Sequence, residues 1–205
     1  MQKRYKAIVF DFGGVVEISR AGSLPYAIAQ SIHVPLEVFK NEYFKHNHLA
    51  NVKNIPWEDM ILKVVSVFDA TEETKESVLS IIRDHQSKKE INSELVSLFP
   101  ILRGLGYTVA IFSNATSQLR EKLSRNGILE LIDSVIISGE IGFQKPHKEA
   151  FDVLFEKLLV SPEEVVFIDD TPKSLEKATE IGYSPILFTG NDQLKIDLQK
   201  LGITV

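Results

Sequence analysis

The chain has 205 residues, of which 44% are hydrophobic and 25% charged, and its formal net charge is −5. This length suffices for one core, or for a core with a small insert. The negative charge gives no electrostatic reason to expect nucleic acid or an anionic membrane as a partner. Cysteine is absent, which excludes disulfides and thiolate chemistry and fits a reducing compartment.

The N-terminal stretch Met1–Lys6 is basic, but at most five apolar or aromatic residues follow it before the first aspartate. That run is too short for the apolar region of a signal peptide. No apolar run approaches the roughly 18 residues that a membrane span requires. We therefore expect a soluble cytoplasmic domain.

Short apolar segments rich in β-branched residues predict the strands of a sheet. Each is almost continuously apolar, which is typical of strands that are buried on both faces of a parallel sheet. In chain order the predicted strands are Ala7–Phe12, Thr108–Ser113, Ser134–Ser138, Glu164–Ile168 and Ser184–Phe188.

Helical patterns lie between the last four of these strands, at Ser117–Arg125, Lys148–Leu159 and Pro172–Ile181. The last has Thr171 as its N-cap, a proline at its first position and Gly182 just past its end. Strands that alternate with helices predict right-handed βαβ crossovers. The fold class is therefore α/β, a doubly wound parallel sheet with helices on both faces.

The segment between the first and second strands is long and contains no convincing strand. Its helical patterns are Leu24–Ile32, Leu36–Lys45, Trp57–Phe68, Glu72–Ser87 and Ser93–Arg103. We predict that residues 18–88 form an inserted all-helical domain. Residues 1–17 and 89–205, including the last of these helices, would form the core domain.

Polar residues stand at the carboxyl ends of the predicted strands, where open α/β sheets bind their ligands. Asp11 ends the first strand, Ser113-Asn114 the second and Asp169-Asp170 the fourth, while the loop after the third leads to Lys145. We expect these side chains to converge on one site.

This set of side chains suits a phosphoryl group and a magnesium ion. Neighbouring carboxylates at the end of a buried strand resist ionisation unless a cation compensates them, and Mg²⁺ prefers oxygen ligands, including a substrate phosphate. Ser113 and Asn114 precede a helix whose free N–H groups favour an anion, and Lys145 adds a compact positive charge. An aspartate can also act as a nucleophile that forms an aspartyl-phosphate.

The same residues resemble a known family, the haloacid dehalogenase-like (HAD) hydrolase superfamily, in its phosphatase-type members with a C1 helical cap. Its four motifs match Asp11-Phe12-Gly13-Gly14-Val15, Ser113-Asn114, Lys145-Pro146 and Asp169-Asp170, in order and at strand ends. Each motif is weak alone, but together they form a specific signal over nearly the whole chain. The resemblance implies a Rossmann-like core, an inserted cap, dependence on Mg²⁺ and phosphatase activity on a small phosphorylated metabolite.

The resemblance also implies roles for individual residues. The catalytic residues would be Asp11 as nucleophile, Lys145 and Ser113. The substrate phosphate would be bound by Ser113, Asn114, Lys145 and Gly14. The metal would be bound by the Asp11 carboxylate, the Gly13 backbone carbonyl and Asp170, with Asp169 as a further ligand or as a partner of the ligands.

Gly13 departs from the family pattern, in which the residue two after the nucleophile is usually an aspartate that serves as general acid and base. Such assistance is worth roughly 10²–10⁴-fold in rate. The enzyme could be slow or restricted to good leaving groups, another group such as Glu17 could replace the acid, or the chain could be a binding or regulatory protein. The backbone carbonyl of residue 13 is present whatever side chain the residue carries, so it can still bind the metal. Family subgroups with glycine at this position are hydrolases. We therefore favour a retained but altered phosphatase.

Dehalogenation is the other enzymatic alternative, through an alkyl ester on the same aspartate and without Mg²⁺. Family dehalogenases typically carry an aromatic residue at the position of Gly13 and lack a complete acidic pair. Gly13 and Asp169-Asp170 therefore argue against it. The sequence leaves the physiological substrate and the oligomeric state undecided.

Overall fold

The computed structural model of the chain describes residues 4–205, so the first three residues of the basic N-terminal stretch lie outside the described residues. Within that range the strands, in chain order, are β1 (Ala7–Phe10), β2 (Glu17–Ser19), β3 (Lys89–Ile91), β4 (Thr108–Ser113), β5 (Ser134–Ile137), β6 (Val165–Asp169) and β7 (Ser184–Leu187). Five of them form a parallel sheet in the order β5-β4-β1-β6-β7, and the other two form a separate antiparallel ribbon.

The first strand lies at the centre of the parallel sheet, paired with β4 on one side and β6 on the other. Its side chains alternate between two apolar clusters, with Ile8 and Phe10 on one face and Ala7 and Val9 on the other. All four residues are fully buried. The α/β fold and the five core strands that the sequence predicts are confirmed, with strand ends within two residues of those observed.

Helices cover both faces of this sheet. Leucines of α6, α7, α8 and α13 belong to one apolar cluster, and residues of α10 and α12 belong to the other. Among the described residues, no helix is both long enough and apolar enough to cross a bilayer. The helices are α1 (Leu24–Ser31), α2 (Leu36–His46), α3 (His48–Asn51), α4 (Trp57–Ser66), α5 (Glu72–Ser87), α6 (Ser93–Val96), α7 (Leu98–Gly104), α8 (Gln118–Arg125), α9 (Ser138–Ile141), α10 (Lys148–Leu158), α11 (Pro172–Leu175), α12 (Ala178–Ile181) and α13 (Asn191–Lys200), with short 3₁₀ turns at Leu129–Leu131 and Pro162–Glu164.

Two helices that the sequence predicts as continuous are each divided in two. Ser93–Arg103 becomes α6 and α7, because Pro100 has no N–H for the Val96 carbonyl and its ring would clash with that carbonyl in a continuous helix. Pro172–Ile181 becomes α11 and α12, and the Ser174 carbonyl finds an alternative donor in the Tyr183 hydroxyl at 3.4 Å. The predicted N-cap of α11, Thr171, makes no capping hydrogen bond with its side chain.

The inserted helices α1–α5 pack around an apolar cluster of their own, whose buried members include Phe39, Met60 and Ile82. The prediction that this long segment contains no strand is wrong. The strands β2 and β3 pair antiparallel, with Glu17 opposite Ile91. Local patterns could not reveal them, because each strand has three residues, carries charges and pairs with a segment far away in the chain.

The ribbon of β2 and β3 lies at both predicted domain boundaries, and the division into a core and a cap remains a proposal. A loop of the insert contacts the segment after β4. The Asn54 side chain accepts a hydrogen bond from the Ser117 N–H at 2.7 Å and donates one to the Ser117 Oγ at 2.9 Å. Gly139 leaves room for this contact, since a Cβ there would lie 2.8 Å from the Asn54 Oδ1.

Candidate active site

The carboxyl ends of β1, β4 and β6 open into one cavity of about 880 Å³, lined by residues of both the sheet and the insert. Asp11 directly follows β1, Ser113 ends β4 and Asp169 ends β6. Because β1 lies between the other two strands, the three residues line the same cavity. Every residue predicted for the site lines this cavity except Gly14, which packs against Asp170.

The Lys145 ammonium group joins the components of the site. It donates hydrogen bonds to Asp11 Oδ1 at 2.8 Å, to Asp169 Oδ2 at 2.6 Å and to the Phe112 carbonyl at 3.1 Å, which occupies its three donors. Its side chain is 2% exposed, and the rings of Phe112 and Phe167 have centroids 5.3 and 4.9 Å from Nζ. The lysine is therefore a fixed positive charge beside Asp11.

The two aspartates of the acidic pair have different surroundings. Asp169 is buried, and both of its oxygens have protein donors: Oδ1 accepts from the Thr171 N–H at 2.8 Å and Oδ2 from Lys145. Asp170 is more exposed, and its Oδ1 accepts from the Thr171 hydroxyl at 3.2 Å. Since both Asp169 oxygens are engaged, Asp170 is better placed to bind a metal ion directly.

Burial is the largest cause of the pKa shifts of Asp11 and Asp170. It raises the pKa of Asp11 from 3.8 to about 6, a rise that the charge of Lys145 counteracts and the charge of Asp169 reinforces. Burial, and then the charge of Asp169, also raise the pKa of Asp170. Burial alone would lower the pKa of Lys145, but the charges of Asp11 and Asp169 outweigh it and raise that pKa. Both carboxyl shifts oppose ionisation of Asp11 and Asp170, and a bound cation would favour their ionised forms.

The donor set fits a hard divalent cation. Carboxylate oxygens of Asp11, Asp169 and Asp170 lie within 4.8 Å of one another. Three carboxylates against one lysine leave negative charge that a cation would neutralise. Mg²⁺ takes one or two carboxylates, a carbonyl, waters and a substrate phosphate, and the residues present can supply the protein's share of these ligands.

The two glycines after the aspartate differ in their steric constraints. Gly14 has a φ of 82°, and a Cβ there would lie 2.1 Å from Asp170 Oδ2, so only glycine fits. Gly13 is not in the positive-φ region, and a Cβ there would meet nothing within 4 Å. No steric requirement of the fold excludes a side chain at position 13.

The side chain of Asn114, predicted to bind phosphate, is engaged with the backbone of Lys145. Its Nδ2 donates to the Lys145 carbonyl at 3.0 Å, and its Oδ1 accepts from the Lys145 N–H at 2.8 Å. It therefore positions the lysine. Ser138, which no sequence motif marks, holds the loop after β4 in a similar way, since its Oγ accepts from the Ala115 N–H at 3.0 Å and donates to the Ala115 carbonyl at 3.3 Å.

Glu17, the nearest candidate for a replacement acid, lines the same cavity but is bound between two lysines. Its Oε2 lies 3.2 Å from Lys89 Nζ, and its Oε1 is paired with Lys122 Nζ. In this arrangement neither oxygen is available to a leaving group.

Known proteins similar to this chain include hydrolases of several kinds. An uncharacterized hydrolase of Schizosaccharomyces pombe is 26% identical over 205 aligned positions, which cover 89% of this chain and 90% of the relative. Glyceraldehyde 3-phosphate phosphatase of Methanothermobacter thermautotrophicus is 34% identical over 88 positions, 42% of this chain and 39% of the relative. Bifunctional epoxide hydrolase 2 of Sus scrofa is 26% identical over 132 positions, 61% of this chain and only 23% of the relative.

Solved structures share the fold over almost the whole chain. A HAD family enzyme from Bacteroides thetaiotaomicron, in complex with magnesium and inorganic phosphate, has a TM-score of 0.63 at 20% identity, covering 92% of this chain and 96% of that one. A dehalogenase has a TM-score of 0.64 at 16% identity, covering 93% and 88%. At these identities the likeness shows the fold alone.

The match to a protein family extends over most of the sequence. The model of the family described as haloacid dehalogenase-like hydrolases matches residues 8–188, a range that contains every residue predicted for the site. This chain belongs to the haloacid dehalogenase-like hydrolase family.

Proposed function

We propose that this chain is a Mg²⁺-dependent phosphatase that hydrolyses a small phosphorylated metabolite through an aspartyl-phosphate on Asp11. The observation that carries the proposal is the meeting of Asp11, Lys145 and the pair Asp169-Asp170 at adjacent strand ends. A nucleophilic carboxylate, a fixed cation and an oxygen-rich metal site are the parts that phosphoryl transfer through an aspartate requires. The similarity to a glyceraldehyde 3-phosphate phosphatase supports the proposal.

Asp11, Asp170 and the Gly13 carbonyl would hold the Mg²⁺, which when bound supplies positive charge to the phosphoryl oxygens. Lys145 fixes one oxygen of Asp11 and leaves the other to attack phosphorus. The bond from that oxygen to phosphorus forms as the ester P–O bond breaks, and the Ser113 hydroxyl donates to a phosphoryl oxygen. Water then attacks phosphorus, which releases inorganic phosphate and restores the Asp11 carboxylate.

The leaving oxygen receives its proton from water in this proposal. Gly13 has no side chain to supply it, and both oxygens of Glu17 are paired with lysines. We therefore expect faster turnover of esters whose leaving groups are stable as anions than of alkyl esters.

Assays of the purified chain with p-nitrophenyl phosphate and a panel of phosphorylated metabolites, with and without Mg²⁺, test the proposal. Phosphate release should require Mg²⁺ and disappear in Asp11→Asn. The matched control is Asp152→Asn, because Asp152 pairs with Lys148 on the exposed side of α10, outside the cavity. Equal rates for the wild type and Asp11→Asn would disprove the nucleophile. Halide release from a 2-haloacid without Mg²⁺ would indicate a dehalogenase.

A non-catalytic phosphate-binding or regulatory protein is the second candidate, favoured by the missing acid at Gly13 and by the paired state of Glu17. It predicts that inorganic phosphate raises the Tm in the presence of Mg²⁺ without any turnover. A steady-state rate that vanishes in Asp11→Asn would eliminate it.

A further inference from the structure

A group of positively charged side chains lies in the same cavity, apart from the Asp11 centre. Lys122 and Arg125 extend from α8, and Lys89 begins β3. Among the cavity residues that the structure describes, outside the Asp11 centre, these three cations face two carboxylates, Glu17 and Glu58. Arg125 has its own partner, Glu121, at 3.8 Å, whereas Lys122 and Lys89 share the single carboxylate of Glu17, so this trio is net positive.

Glu17 holds the two lysines in place. Its side chain is 5% exposed and pairs with Lys122 through Oε1 and with Lys89 through Oε2 at 3.2 Å. The side chains of Lys122 and Lys89 are 39% and 33% exposed, so they extend from the buried carboxylate to the cavity. One carboxylate cannot balance two ammonium groups, and each ammonium group keeps further donors.

The lysine on α8 lies close to the proposed phosphoryl site. Gln118, the first residue of α8, lines the cavity, and Lys122 follows one turn later, about 6 Å along the helix axis. Helical side chains lean towards the N-terminus, which brings the ammonium group back towards the Asp11 centre. Its Nζ lies 5.7 Å from the ring centroid of Phe12, the residue next to Asp11.

The backbone of Glu17 belongs to the loop that follows the nucleophile. Its N–H donates to the Phe12 carbonyl at 2.8 Å, and its carbonyl accepts from the Gly14 N–H at 2.7 Å. The carboxylate that organises the lysines is thus attached to the same short loop as Asp11. The lysine pair and the Asp11 centre line the same cavity.

We propose that Lys122 and Lys89 bind a second anionic group of the substrate. The preferred substrates are then short phosphate monoesters that also carry a carboxylate or a second phosphate. This inference rests on the proposed phosphatase function and adds the substrate class. Hydrogen bonds between charged groups contribute about tenfold or more to binding, so an uncharged group at this position forgoes that gain.

The test compares 2-phosphoglycolate with ethyl phosphate, in which a methyl group replaces the carboxylate. Ethane-1,2-diyl bisphosphate in a third arm distinguishes a second phosphate from a carboxylate. The ratio of kcat/KM between each substrate with a second anionic group and ethyl phosphate is measured for the wild type, Lys122→Met, Lys122→Arg and Lys195→Met. Lys195 is the matched control, since it pairs with Glu94 outside the cavity.

We expect the wild type to prefer at least one of the substrates with a second anionic group over ethyl phosphate by about tenfold or more. Lys122→Met should lose most of this preference through a higher KM, Lys122→Arg should retain part of it, and Lys195→Met should retain all of it.

The outcomes separate this inference from the phosphatase proposal. Equal ratios in the wild type and Lys122→Met, with p-nitrophenyl phosphate hydrolysed, would overturn the second anion site and leave the phosphatase standing. If no ester is hydrolysed, the phosphatase proposal fails and the same ligands are compared by thermal shift with Mg²⁺. A ligand with a second anionic group must then raise the Tm more than ethyl phosphate does, by a margin that shrinks in Lys122→Met; otherwise the site is disproved.

Discussion

Restoring a carboxyl group at position 13 should restore the missing general acid. A Cβ at Gly13 would meet nothing within 4 Å, and the backbone there is not in the positive-φ region. Gly13→Asp can therefore extend a side chain into open space without moving its neighbours. The fold should tolerate the change, since Gly→Ala at a compatible position stabilises proteins by about 0.4–1 kcal/mol through the unfolded chain.

The expected gain in rate is that of general acid catalysis, which supplies the proton that the leaving oxygen lacks. General acid assistance is worth roughly 10²–10⁴-fold, which corresponds to about 2.7–5.5 kcal/mol of activation free energy. Only the protonated form of the introduced carboxyl group can donate to the leaving oxygen. The gain should therefore appear with alkyl esters, whereas p-nitrophenyl phosphate should gain little because its leaving group is stable without a proton.

The assay compares kcat/KM for ethyl phosphate and p-nitrophenyl phosphate in the wild type, Gly13→Asp and Gly13→Asn. Asparagine has the same size but no acidic proton, so it isolates the acid from the added bulk. Gly13→Asp should hydrolyse ethyl phosphate about 100-fold faster or more, and Gly13→Asn should not. Equal rates for the two variants, with both folded, would refute the reasoning that position 13 is where the acid is missing.

Three further predictions follow from the geometry. The folded pKa of Asp11, about 6, exceeds 3.8, so the stability that its protonated form contributes is complete below pH 3.8 and lost as the pH rises through 6. Urea unfolding in EDTA should therefore show Asp11→Asn gaining about 2.4 kcal/mol relative to the wild type between pH 4 and 7.5; a constant difference would contradict the shift. Gly139→Ala should lower the free energy of unfolding by about 1–3 kcal/mol, because its Cβ would lie 2.8 Å from an amide oxygen and 2.9 Å from a backbone carbonyl. Gly104→Ala, with nothing within 4 Å, is its control, and equal losses would refute the clash. Asn114→Ala should reduce kcat with p-nitrophenyl phosphate about tenfold or more, since it removes both side-chain bonds to the Lys145 backbone; an unchanged kcat would mean that the lysine is positioned without it.

Local patterns were enough to predict the parallel sheet and the polar residues at its strand ends. A strand buried on both faces must be apolar throughout, so each of the five core strands is visible in the sequence. The strand order then brings Asp11, Ser113 and Asp169 to one edge, as the sequence predicts for parallel strands. The long helix Glu72–Ser87 was equally readable, because its start is acidic and its apolar positions repeat at helical spacing.

Contacts between residues far apart in the chain could not be read in this way. The ribbon of β2 and β3 exists only because two charged three-residue segments meet, and neither has a pattern of its own. The same holds for the side chain of Asn114, which points to the Lys145 backbone, and for Glu17, whose oxygens are taken by two lysines. Local order along the chain is thus enough to specify which chemical groups stand at the strand ends. How those groups are paired, and which oxygens remain for a ligand, depends on hydrogen bonding and burial among residues far apart in the chain, which become visible only in the folded structure.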